Sequence, residues 1–359
     1  MLYFDHASGV LPDEETLQII QQCFRRYPAN QESVHPLAYE ARRAFDLARS
    51  RLAVQLTGSD EYRAVAFPGG TAAIAALARW KRLYRRKVYT TALEHPSVSH
   101  ALERAMAQCR YFDLDRNGRI VAGSCGGNDC DAVFITHIQS EIGTIQMADD
   151  IFARFGENTV KICDTIQSAA KLPLPRSADI MTVSGAKLGV PGAAALLVRK
   201  KYASEIEALA EKLRRDHEVC RIVVPLFIAM SEVAEIRVKQ MQENAAHAED
   251  LQTLCRTLAA KLGIACTIEE HFCSPYICHL NFPSAEGAVL VRLLGAENIC
   301  VGSGTACSAE TSEPSPALLA LGFSKKSAFG GVRISFDCST KLQDVKKLFD
   351  VLENTLKNY

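Results

Sequence analysis

Ser184-Gly185-Ala186-Lys187 follows an apolar run at residues 180–183. A lysine at a strand end, flanked by small residues, can form a Schiff base when its amine is partly desolvated. A surface lysine is the plain alternative. Asp164 follows the apolar run 160–163, and ligands of open parallel sheets sit beyond the carboxyl ends of strands. A carboxylate there can pair with a protonated cofactor ring nitrogen, or act as an ordinary loop or N-cap aspartate. Gln167, one short step on, could hydrogen-bond a phenolic oxygen. Pro68-Gly69-Gly70-Thr71 follows a strand and opens a helix. Its free N–H groups and glycines suit a phosphate, and equally suit a simple strand-to-helix turn.

His95, after Glu94 and the run 87–92, could stack on a cofactor ring and move protons, or simply cap a helix. Cys307 lies in Val301-Gly302-Ser303-Gly304-Thr305-Ala306-Cys307-Ser308. A lone cysteine is usually a small buried hydrophobe, but this loop is polar and glycine-rich, which suits an accessible nucleophile. Arg333, in the run 332–336, could grip a carboxylate with two hydrogen bonds; an edge salt bridge is the alternative. His271, Cys273, Cys278 and His279 do not have a common zinc spacing, so no metal is expected. Cys125 and Cys130 flank Gly126-Gly127-Asn128-Asp129, a surface-turn composition.

These residues need a scaffold of alternating strands and helices. Unbroken apolar runs at 64–67, 87–92, 132–138, 160–163, 180–183 and 194–198 predict strands covered on both faces, hence a mostly parallel sheet. Helical spacing appears at 13–27, 39–56, 71–83 and 97–108. From Ser204 a long helical stretch, broken near Pro225, runs to Leu262. Then come a strand (277–282), a helix (286–294), the glycine-rich loop, a strand (332–336) and a helix (342–356). The fold class is therefore α/β. Residues 13–235 are expected to form a large domain, and 236–359, with the arm 1–12, a smaller one.

The chain has 359 residues, with 41 basic and 41 acidic side chains. That balance gives no electrostatic footprint for nucleic acid. A secretory leader is not expected from the opening residues, nor a membrane helix from any apolar run. Thirteen scattered cysteines point to reduced thiols in a cytoplasm.

Taken in order, these segments resemble the cysteine desulfurase family, in the class V aminotransferase group of fold-type I pyridoxal-phosphate enzymes. Tyr3-Phe4-Asp5-His6-Ala7 resembles the opening strand motif, and residues 30–35 the asparagine-to-histidine segment. The resemblance implies pyridoxal 5'-phosphate held by Gly70, Thr71, Ala72, His95, Ser140, Asp164, Gln167, Ser184 and Lys187. It implies substrate contacts from Asn30 and Arg333, and catalysis by Lys187, His95 and Cys307. The implied reaction removes sulfur from L-cysteine, giving L-alanine and a persulfide on Cys307. Sulfur would pass to an acceptor protein, such as an iron–sulfur scaffold or a tRNA-thiolation carrier, and the enzyme would be a homodimer. A lyase for selenocysteine or another cysteine derivative, and a degenerate binding homologue, are the alternatives. Three positions depart from the family pattern. Ser140 stands for asparagine, Ala186 for histidine, and Ile222-Val223-Val224 for a polar segment that reaches the partner's phosphate. Weaker hold on the cofactor is the expected consequence.

Overall fold

The structure, a computed structural model, describes residues 1–121, 123, 129–304 and 313–357. In chain order its strands are β1 (Leu2–Tyr3), β2 (Tyr62–Phe67), β3 (Lys87–Thr90), β4 (Gln108–Tyr111), β5 (Ala132–Thr136), β6 (Val160–Asp164), β7 (Ile180–Ser184), β8 (Ala194–Arg199), β9 (Ala265–Cys266), β10 (Ile277–Asn281), β11 (Ile299–Cys300) and β12 (Gly331–Ser335). Its helices are α1 (Glu14–Arg26), α2 (Pro36–Thr57), α3 (Gly70–Leu77), α4 (Pro96–Arg104), α5 (Ala148–Phe152), α6 (Lys200–Arg215), α7 (Val224–Lys239), α8 (Met241–Lys261), α9 (Gly287–Ala296), α10 (Pro316–Ala320), α11 (Lys325–Ala328) and α12 (Leu342–Lys357).

Seven strands form the main sheet, in the order β2-β8-β7-β6-β5-β3-β4. All neighbours are parallel except at β8, which runs antiparallel to both β2 and β7. The apolar runs that announce these strands alternate between two cores. In β5, Val133 and Ile135 face the core beneath α1, α2 and α7, while Ala132 and Phe134 face the core beneath α3, α4 and α6. Both faces are covered, which is why the runs read as unbroken.

A third core joins α8, α9 and α12 to the sheet β12-β10-β9. Phe4 of the arm is fully buried in it, and β1 pairs in parallel with β11. The first residues of the chain are thus built into its last third.

Three boundaries differ from expectation. The helix expected over 97–108 ends at Arg104, because Gln108 begins β4, an edge strand with three of its four residues exposed and the fourth half-buried. Such a strand carries no apolar run to announce it. The helix expected over 71–83 stops at Leu77, and backbone turns carry the chain onward to β3. The long helical stretch is three helices, with a first break over 216–223 ahead of Pro225 and a second at Gln240.

One glycine fixes the turn that carries Lys187. A Cβ on Gly185 would stand 2.3 Å from the carbonyl oxygen of Val190 and 3.0 Å from that of Ala193. Both obstacles are backbone, and neither can swing away. Gly185→Ala should therefore destabilise the protein by about 1–3 kcal/mol, the range for overpacked interiors. Urea unfolding checks this, and a midpoint equal to wild type would contradict it.

Candidate active site

The carboxyl ends of β3, β5, β6 and β7, together with that of β2, open on one side of the sheet. A cavity of about 360 Å³ lies there, lined by Gly70, Thr71, His95, Ser140, Asp164, Gln167, Ser184, Lys187 and Arg333. Nine residues expected from sequence thus converge from six separate segments.

Lys187 ends a single 3₁₀ turn directly after β7. Its Nζ donates to the carbonyl of Ser8. Burial, aided by the nearby cations Lys171 and Arg333, lowers its amine pKa to about 8. A much larger fraction of neutral, nucleophilic amine is present near neutrality than an exposed lysine offers. Asp164 ends β6. Its Oδ1 accepts from Thr182 Oγ1 at 2.5 Å and from the N–H of Ile166 at 3.1 Å, which fixes the carboxylate at the cavity wall.

His95 caps α4: its Nδ1 accepts from the N–H of Ser97 at 3.1 Å. In that tautomer the neutral ring carries its proton on Nε2. Burial lowers its pKa, while Asp164 opposes the shift and Lys187 adds to it. Gln167 donates from Nε2 to the carbonyl of Ala7 at 2.9 Å. No side chain caps α3, so the N–H groups of Gly70, Thr71 and Ala72 lack intrahelical partners. Ala72 does not line the cavity, and can contribute only through its backbone. A Cβ on Gly70 would lie 2.9 Å from Ile166 and 3.3 Å from Ser184. A larger residue would crowd Ile166 and Ser184 there, and with glycine in place the amides stay available to an anion.

Arg333, on β12, is 2% exposed. Its Nη2 donates to Asp5 Oδ1 and to Ser8 Oγ, each at 2.6 Å, and its Nη1 donates to the carbonyl of Ser140 at 2.8 Å. Ser140 thus contributes its backbone to the arginine. Asn30 stands elsewhere: it is exposed, its Oδ1 accepts from the N–H of Glu32 at 3.0 Å, and it does not line the cavity. Cys307 and Cys125 lie outside the described residues. Cys130 is half-buried, 4.0 Å from Thr159 Oγ1. Of the histidine–cysteine group, His271 is exposed against Phe272, Cys273 donates to the carbonyl of Ile277, and Cys278 and His279 point to opposite sides of β10. The segment after Arg221 leads directly into α7, with Val224 buried and Ile222 packed on the main core.

Asp5 and Ser8 escaped the sequence reading, although Asp5 lies within the quoted opening motif. Glu94 escaped it as well. It is buried beside His95, its Oε1 accepting from Thr91 Oγ1 at 2.7 Å and from the N–H of Thr136 at 3.2 Å, while its Oε2 has no partner among the described residues. Burial, with Asp164 adding to it, raises its pKa to about 8. Glu94 is therefore held mostly as the neutral acid at neutral pH.

Residues 2–348 match the aminotransferase class-V family. The chain is 26% identical to the putative cysteine desulfurase IscS 1 of Bacillus subtilis (strain 168), over 96% of each. It is 29% identical to the cysteine desulfurase IscS of Salmonella typhi, over 90% of this chain and 83% of that one. Its fold superimposes on that of a NifS-like protein with a TM-score of 0.86, at 20% identity and over 100% of both chains.

The raised Glu94 pKa fixes the sign of a pH effect. Between the ordinary carboxyl range, near 4.5, and about 8, the folded state holds one more proton than the unfolded state. Stability therefore falls as pH rises through that window. Glu94→Gln, always neutral, should lose this slope and gain on wild type from pH 5 to pH 9. Urea midpoints at the two ends of that range check it; parallel curves would show that Glu94 does not titrate there.

Proposed function

The chain belongs to the aminotransferase class-V family, and from that premise we propose that it is a cysteine desulfurase dependent on pyridoxal 5'-phosphate. The observation that carries the reading is the meeting, in one cavity, of a desolvated lysine amine, a fixed carboxylate, an uncapped helix start and a buried arginine. The residues fit the cofactor: the amides that open α3 have no capping side chain and lie at the cavity, where glycine at position 70 keeps the backbone close to Ile166 and Ser184. Bound there, the cofactor supplies a carbonyl for amine capture and a ring that takes up electrons released at the substrate Cα.

The protein residues would then divide the work. Lys187 would hold the cofactor covalently and, once freed, accept the Cα proton. Asp164 would keep the ring nitrogen protonated, and Gln167 and Ser140 would serve the phenolic oxygen. The N–H groups of Gly70, Thr71 and Ala72, with Ser184, would bind phosphate. His95 would lie over the ring and carry a proton on Nε2. Arg333 would hold the substrate carboxylate. Cys307 would take the sulfur as thiolate: its S–S bond forms as the substrate Cβ–S bond breaks, and Cβ gains a proton as L-alanine forms.

Sulfur on Cys307 would pass to an acceptor protein, such as an iron–sulfur scaffold or a tRNA-thiolation carrier. A homodimer is part of the reading, supported by the exposed apolar residues Leu37, Leu47 and Val54 along α2, with Phe24 of α1 and Val223 nearby in sequence to α7. A cytoplasmic setting is supported by eleven free cysteines among the described residues. No helix among them is long and apolar enough to cross a membrane. The division into a large domain over 13–235 and a smaller one over 236–359 with the arm 1–12 is supported by the separate core of α8, α9 and α12.

Purified protein supplied with the cofactor should convert L-cysteine to L-alanine and accumulate a persulfide on Cys307. Borohydride should tag Lys187. Lys187→Ala should lose turnover, whereas Cys307→Ser should keep the cofactor's visible band and lose the persulfide. Undiminished sulfur release by Cys307→Ser would instead indicate a lyase. A further measurement addresses Ala186, which leaves the cavity without one side-chain donor. Ala186→His should slow cofactor loss on dialysis by roughly tenfold or more, as one hydrogen bond to a charged group is worth about 1.5–3 kcal/mol. Unchanged or faster loss would show that the missing donor has been replaced locally.

A further inference from the structure

We propose that Asp5 is a built-in competitor for the substrate's α-carboxylate: it holds one nitrogen of Arg333 and must release it before an amino acid is gripped at two points. This rests on the reading of Arg333 as the carboxylate anchor. Asp5 then sets the affinity for amino acids without touching the reacting atoms.

The argument is a count of N–H groups. A guanidinium has one on Nε and two on each terminal nitrogen. Both hydrogens of Nη2 are in use, on Asp5 Oδ1 and Ser8 Oγ, and one on Nη1 is in use, on the carbonyl of Ser140. Nε has no partner among the described residues. The edge formed by Nε and Nη2 lies against Gly302, where a Cβ would come within 2.9 Å of Nη2, 3.2 Å of Nε and 2.8 Å of Asp5 Oδ1. A carboxylate fork takes either the Nε–Nη2 edge or the Nη1–Nη2 edge, so in both cases it needs one hydrogen of Nη2. Nε and Nη1 each have one to spare and Nη2 has none.

Either Asp5 or Ser8 must therefore let go. Ser8 Oγ is uncharged, so an incoming anion does not repel it, and its hydroxyl donates to Asp5 Oδ1 at 3.1 Å. Asp5 has a side chain 23% exposed, so water can solvate its carboxylate once released. Two carboxylates crowding one guanidinium also repel each other. Binding an amino acid thus exchanges one carboxylate for another. The buried cation is never left without a counter-charge, and the substrate gains less than a fresh ion pair would give.

The test uses holoenzyme, with binding read from the visible absorption of the bound cofactor. L-Alanine probes the carboxylate, and ethylamine, which lacks one, serves as the control. Asp5→Asn keeps a weaker neutral acceptor and should tighten L-alanine by roughly tenfold, leave ethylamine unchanged, and lower KM for L-cysteine in parallel. Ser8→Ala frees the other hydrogen of Nη2 and should also tighten L-alanine, which keeps the idea testable if Asp5→Asn folds poorly. Arg333→Lys should weaken L-alanine alone. If it does, while Asp5→Asn and Ser8→Ala leave L-alanine unchanged or weaker, Asp5 merely positions Arg333 and the competitor idea is overturned, with the anchor intact. Equal shifts for L-alanine and ethylamine in Asp5→Asn would likewise overturn it, as a purely structural effect. If Arg333→Lys leaves L-alanine unchanged, the anchor itself is wrong and the competitor falls with it.

Discussion

Buried positive charge is the constraint around which this site is organised. Arg333, Lys171 and Arg237 are all at least nine-tenths covered, and Lys187 is partly so. An uncompensated buried cation costs several kcal/mol, so each needs an acceptor. The N-terminal arm supplies most of them. Asp5 and Ser8 serve Arg333, the Ser8 carbonyl serves Lys187, and Asp13, just beyond the arm, pairs with Arg237 at 2.8 Å. Lys171 has the ring of Tyr276 5.3 Å from its Nζ. The amine and the guanidinium thus share one partner residue, Ser8. Their separation follows from the geometry of that residue's own carbonyl and hydroxyl.

The sheet supplies the other half of the arrangement. Its strands are apolar on both faces, so they pack rigidly and end together. Side chains at those ends, or up to three residues beyond them, inherit that rigidity, as Asp164 at the end of β6 and Lys187 beyond β7 do. Acidity is then divided by burial. Asp164 has two donors on one oxygen, whereas Glu94 is buried with one oxygen bare among the described residues and is pushed towards the neutral acid.

Much of this was legible in the sequence. The six main-sheet runs were visible because double-sided burial leaves no polar alternation. Residues at their ends, from Gly70 to Lys187, could be placed by that rule alone. Edge strand β4 left no such trace, and helix α3 ended early where backbone turns took over. What the sequence could not show was pairing across distance. Asp5 and Arg333 lie 328 residues apart, and no local pattern links an arm aspartate to a strand arginine. Asn30 marks the opposite case: a local motif was visible, but the loop that carries it stands on the surface and away from the cavity.

The arm also explains why the departures at Ser140 and Ala186 are tolerated by the fold. The carbonyl of Ala186 accepts from the N–H of Val10 at 2.9 Å, and the carbonyl of Ser140 accepts from Arg333. Both positions are held by backbone atoms, which every residue type possesses. Their side chains carry no structural duty in these bonds and are free to vary. What varies with them is the polar lining of the cavity; on the proposed reading, backbone amides at the start of α3 would have to do more of the cofactor binding. On the proposed reading substrate grip would be different: it would rest on Arg333, whose hydrogen bonds are nearly all assigned. The loss of side-chain donors would then fall on the cofactor, while the competition for donors would fall on the substrate.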